Sequence, residues 1–131
     1  MADIIEVRLP PTSQYLPLLS AGVGALAGIL EFNYDDILQL RIAVSEAFEL
    51  TTRWAEKADD ASGPDEISIR FIVAANKMEI LVTNRLGYIG EIDREHEEES
   101  CGTLMSLMDE VQFGDGTANE PLIRMNRSTT K

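Results

Sequence analysis

The sequence predicts an α+β fold in which helices cover one face of a largely antiparallel sheet. Three observations carry this reading. Apolar residues alternate with a period of two at Ile5 to Leu9, Ile67 to Val73 and Met78 to Val82. Two stretches with helical spacing lie between the first and second of these segments. The elements then follow in the order strand, helix, helix, strand, strand, loop, helix, strand, strand, with the whole of 1–131 read as a single domain.

Asp3 to Leu9 sets Ile5, Val7 and Leu9 against Ile4, Glu6 and Arg8, the pattern of a strand with one face on a core, and Pro10-Pro11 stops it. From Ser13, a plausible cap, the spacing of Leu16, Leu19, Val23, Leu26 and Ile29/Leu30 predicts a helix that Phe32-Asn33 closes. Gly22, Gly24 and Gly28 weaken it by up to roughly 1 kcal/mol each relative to Ala, and would let another backbone approach. Asn33-Tyr34-Asp35-Asp36 reads as an N-cap with acids in the first turn, where they meet the positive end of the helix dipole. A long helix follows to about Lys57, with one apolar ridge at Ile37, Leu40, Val44, Ala47 and Thr51 and a second at Ala43, Ala47, Leu50 and Trp54.

Ala58 to Asp65 is a loop by composition. Ile67, Ile69, Phe71 and Val73, then Met78, Ile80 and Val82 after an Ala75-Asn76 turn, predict a hairpin. Asn84 to Ser100 reads as irregular, its acidic run through Asp93, Glu95, Glu97, Glu98 and Glu99 as a solvated loop. Gly102 to Val111 is expected to be a short helix with Leu104, Leu107, Met108 and Val111 inward. A last strand is expected around Leu122 and Met125, before a polar tail.

Composition narrows the function. Eleven Lys and Arg against 23 Asp and Glu give a formal charge of −12, which disfavours nucleic-acid and anionic-membrane partners. One Cys and one His exclude a disulfide framework and the common zinc sites, and point to the cytoplasm. The most apolar stretch, Tyr15 to Phe32, is broken by Pro17, Ser20 and three glycines, and acidic Asp3 does not suit a secretory leader. No phosphate-binding, dinucleotide-binding, nucleophile-elbow or HExxH zinc motif is present. His96, among Arg94, Glu95 and Glu97, reads as a surface residue, and Cys101 as a small residue just before a helix start. Glu46 stands out, flanked by small and apolar residues in the middle of the long helix. There it either reaches solvent at the helix edge or lines a cleft.

Leu40-Arg41-Ile42-Ala43-Val44-Ser45-Glu46-Ala47 resembles the N-box of the bacterial anti-sigma-factor serine protein kinases of the RsbW and SpoIIAB type. Their superfamily also includes gyrase, heat-shock chaperones and histidine kinases. Asn33-Tyr34-Asp35-Asp36, the two hairpin strands and Leu107-Met108-Asp109-Glu110-Val111 agree in order, so the resemblance covers most of the chain. It implies a two-layer α/β sandwich of the histidine-kinase-like ATPase type, holding Mg-ATP between the long helix and a lid. It also implies a sigma factor as partner and a serine of a STAS-type anti-anti-sigma factor as substrate.

By that resemblance Glu46 holds the general-base position. Leu50, one turn later, stands where the family has the Asn that completes Mg²⁺ coordination, and it offers no oxygen. Asn84 and Leu86 replace the adenine-binding Asp and the Gly that makes room for the base. Gly87 and Gly102 are remnants at nucleotide-binding positions, and the glycine-rich lid is reduced to Glu98-Glu99-Ser100-Cys101-Gly102-Thr103. The expectation is a degenerate nucleotide site, no resident metal or cofactor, and a regulator that sequesters a protein. Its sigma-binding surface is expected between Leu16 and Asp36. The alternative is an active kinase that uses Mg-ATP. Leu50 and Trp54 are expected to fill the empty pocket, and a homodimer is an assembly that the resemblance allows.

Overall fold

The computed structural model describes residues 2–10, 12–57, 66–84, 98–114 and 123–128 and, within these, all side chains but those of 53–57, 84 and 98. The described elements are β1 (Asp3–Leu9), α1 (Leu16–Ile29), α2 (Tyr34–Lys57), β2 (Ile67–Ala74), β3 (Lys77–Asn84), α3 (Glu98–Leu107), β4 (Glu110–Phe113) and β5 (Ile123–Ser128). The strands form one antiparallel sheet in the order β1-β2-β3-β5-β4. Ile67, Ile69 and Phe71, Met78, Ile80 and Val82, and Ile123 and Met125 alternate into a core shared with Leu19, Val23 and Ala27 of α1, six apolar residues of α2 and Leu104 of α3. The fold is the expected α+β arrangement of two layers.

The chain turns between α1 and α2 by a Schellman motif. Phe32 N–H donates to Ala27 O and Glu31 N–H to Gly28 O, both at 3.1 Å, with Glu31 in the left-handed region at φ 64°. Phe32 is buried beside Ala27, the apolar contact that accompanies this motif. Asn33 then caps α2 as its sequence predicts, its Oδ1 accepting from Asp36 N–H at 2.8 Å. Within α2 the buried hydroxyls of Thr51 and Thr52 donate to the carbonyls of Ala47 and Phe48, so two polar groups enter the core without an orphaned donor.

Several expectations need correction. The cap at the first helix is Thr12, whose Oγ1 accepts from Gln14 N–H over a single 3-10 turn, and α1 itself starts only at Leu16. None of the α1 glycines admits a neighbouring backbone: a Cβ on Gly22 or Gly28 would meet nothing within 4 Å, and one on Gly24 would meet the Arg41 side chain at 3.4 Å. In β1 only Leu9 is buried, while Ile5 is 38% exposed, because this strand lies at the sheet edge. The third helix begins at Glu98 rather than Gly102, so the end of the acidic run is helical and Cys101 is buried within the helix. That helix ends at Leu107, and Val111 belongs to β4, opposite Met125. The spacing of Leu104, Leu107, Met108 and Val111 suits a helix, but Asp109 N–H donates to Asn126 O, and a distant strand captures the segment. Leu122 lies outside the described residues.

Candidate functional site

Helix α2 positions the residues that the sequence singles out. Glu46 is half-buried and lines an open groove of about 410 Å³ on the outward side of the helix. This favours the cleft over a plain solvent position. Leu38 and Ile42 contribute to the lining, as do Ser20 of α1, Arg41 and Glu49. Arg41 crosses to α1, its Nε donating to Ser20 Oγ at 2.9 Å, and the bare Cα of Gly24 leaves room for its stem. The groove is thus lined by two apolar side chains, Leu38 and Ile42, one guanidinium and two carboxylates.

One turn beyond Glu46 and a little further round the helix towards the sheet, Leu50 is fully buried, in one core with Ala43 and Ala47. Its burial contributes about 2 kcal/mol to the fold. Asn84 ends β3, opposite Ile67 in the register. Gly102 lies in α3, where an added Cβ would meet nothing within 4 Å. Gly87, Leu86 and His96 lie outside the described residues, as does the side chain of Trp54. Among the described residues no three His, Cys, Asp or Glu side chains converge to hold a metal ion. No described helix is long and apolar enough to cross a membrane.

Sequence reasoning missed a second polar centre. Asp36, read there as a first-turn acid, is 4% exposed and accepts from Arg127 Nη2 at 2.5 Å. Arg127 Nη1 donates to the carbonyl of Leu107, the last residue of α3. A single guanidinium therefore joins the start of α2, the end of α3 and strand β5. Among the described residues Asp36 Oδ2 has no hydrogen-bond partner. No local signal marks the pair, because its members stand 91 residues apart in the sequence.

A long helix bearing Glu46, laid with two others on a five-stranded antiparallel sheet, defines a two-layer α/β fold of the histidine-kinase-type ATPases. Sequence comparison places it more closely. The chain is 37% identical over 84 residues to the serine-protein kinase RsbW of Bacillus licheniformis, covering 64% of this chain and 51% of that protein. It is 30% identical over 113 residues to the serine-protein kinase RsbW of Bacillus subtilis, covering 86% and 68% respectively. For the protein of the same name from Bacillus pumilus the figures are 29% over 115 residues, 87% and 68%. No family model matches the chain. It belongs to the RsbW family of anti-sigma-factor serine-protein kinases. It spans about half the length of the Bacillus licheniformis relative.

Proposed function

We propose that this chain works as an anti-sigma-like regulator that holds a protein partner by stoichiometric binding and transfers no phosphoryl group. The observation that carries the reading is the burial of Leu50. By family resemblance that position should offer an oxygen to Mg²⁺, a hard cation that takes oxygen ligands. A leucine packed into the core offers none, so this position does not fit the metal of Mg-ATP. The partners are a sigma factor, a STAS-type anti-anti-sigma factor, or both, and the −12 charge suits a partner with a basic DNA-binding surface.

Retention of Glu46 on an open groove favours a second reading, an active serine kinase with this carboxylate as base. Calorimetric titration of the protein with sigma factors of its own genome, with and without Mg-ATP, separates the two. The sequestering reading expects the same micromolar or tighter affinity in both conditions, and no phosphoserine on a STAS partner. Heat on titration with Mg-ATP alone, with phosphate transfer that Glu46→Ala abolishes, would establish the kinase instead.

A further inference from the structure

The outward side of α2 carries two apolar residues beside a groove. Leu38 and Ile42 lie one turn apart and are 37% and 52% exposed, although buried positions adjoin them on the same helix. Ser45 and Ser20 leave a depression beside them, and the Arg41 stem lies back across Gly24 with its Nε bonded to Ser20. Glu46 and Glu49 follow Ile42 by one and two turns along α2 and complete the lining. Two apolar contacts in line, followed by two acids a helical turn on, match one occupant.

We propose that this groove docks a basic amphipathic helix of the partner protein. The partner helix lays apolar side chains four residues apart on Leu38 and Ile42, and a Lys or Arg one turn further meets Glu49 and Glu46. Charge selects against the alternatives, since two carboxylates outnumber the one guanidinium of Arg41, whose Nε is engaged by Ser20. A second copy of this chain would bring its own two carboxylates and a further −12 to the contact. An anionic segment would meet the same acids. The chain's net charge also speeds the encounter with a cationic partner. This proposal rests on the sequestering function, for which it supplies the surface.

The test uses the full chain and two fluorescent synthetic peptides with identical apolar faces, one a Leu/Lys amphipathic helix and the other its Leu/Glu counterpart. Only the Leu/Lys helix is expected to bind. Ile42→Asp should weaken it about tenfold even though the variant is more acidic, because a charge then stands in the apolar contact. Met105→Asp, an equal charge change on the exposed face of α3, should leave affinity the same or slightly tighter. Glu49→Gln, which keeps side-chain size, should weaken binding severalfold and flatten its salt dependence.

Affinity unchanged or raised by Ile42→Asp would overturn the proposal in favour of general charge attraction. Equal binding of the Leu/Glu helix would overturn it too. So would a wild-type dimer in sedimentation that Ile42→Asp dissociates, since the groove would then belong to a second copy. Failure of every sigma factor to bind, with peptide docking intact, would remove the sequestering function and leave the groove standing.

Discussion

On the sheet-facing side of α2, Leu40, Ala43, Ala47 and Leu50 are fully buried, whereas on the outward side Leu38 and Ile42 keep 37% and 52% of their surface in water. Both sides carry aliphatic residues, so hydrophobicity alone does not tell them apart. The difference is one of cause. Inward residues are accounted for by the core they fill, while nothing within the described chain accounts for Ile42. Apolar side chains that adjoin one another at a groove, rather than lying singly on the surface, are where a partner should be sought. Glu46 and Leu50 make the same point one turn apart: the carboxylate stays at the groove, and the neighbouring position has become core.

The strongest way to break the inward side is at its polar anchor. Arg127→Ala should lose about 3–5 kcal/mol in denaturant unfolding, because it leaves the buried Asp36 carboxylate and the Leu107 carbonyl without their donor. A loss near zero would show that the start of α2 does not depend on this pair. Leu50→Ala against Ile42→Ala then measures the contrast itself. The first should lose about 2–5 kcal/mol and the second no more than about 0.5 kcal/mol. Equal losses would place Ile42 in the core after all.

The smallest effect lies on the sheet face turned away from the helices, where charges remain in water. Glu6 accepts from Arg8 Nε at 2.8 Å and from Ser68 Oγ at 2.9 Å. The Arg8 hydrogen bond, with that of Ser68 next, holds its carboxyl below the ordinary value of 4.5. A carboxyl with a lowered folded pKa adds stability above its unfolded pKa and loses it as pH falls through the folded one. Glu6→Gln should therefore cost a little stability at neutral pH, kept small because solvent screens the pair, and the difference should vanish as pH falls below about 4.5, which flattens the acid limb. Urea midpoints of both proteins across that range would read it, and identical acid limbs would remove the contribution.

What was legible in the sequence was local. Period two gave the hairpin of β2 and β3, and Asn33 marked the start of α2 because a cap acts within one turn. The inward stripe of α2 followed from spacing, although Phe48, fully buried, stood outside both predicted ridges. What failed depended on distant partners. Val111 fits a helical stripe until Met125 pairs with it, and Asp36 looks like a dipole-facing acid until Arg127 arrives from β5. At the site, Glu46 and Leu50 were legible as positions on one helix. The groove was not, since Arg41 and Ser20 meet only once α1 packs on α2.

Among the described strands β1 pairs with β2 alone, and its nearest partner residue, Ile67 opposite Leu9, follows both long helices in the sequence. Closing that pairing requires a longer loop than any other ladder in the sheet. During synthesis β1 therefore leaves the ribosome before both helices and waits longer for its neighbour than any other described strand, with Ile5, Val7 and Leu9 uncovered while α1 and α2 emerge. The interval before β2 appears is thus the longest that any described strand spends without its neighbour, and it is when a wrong edge pairing has its best opportunity.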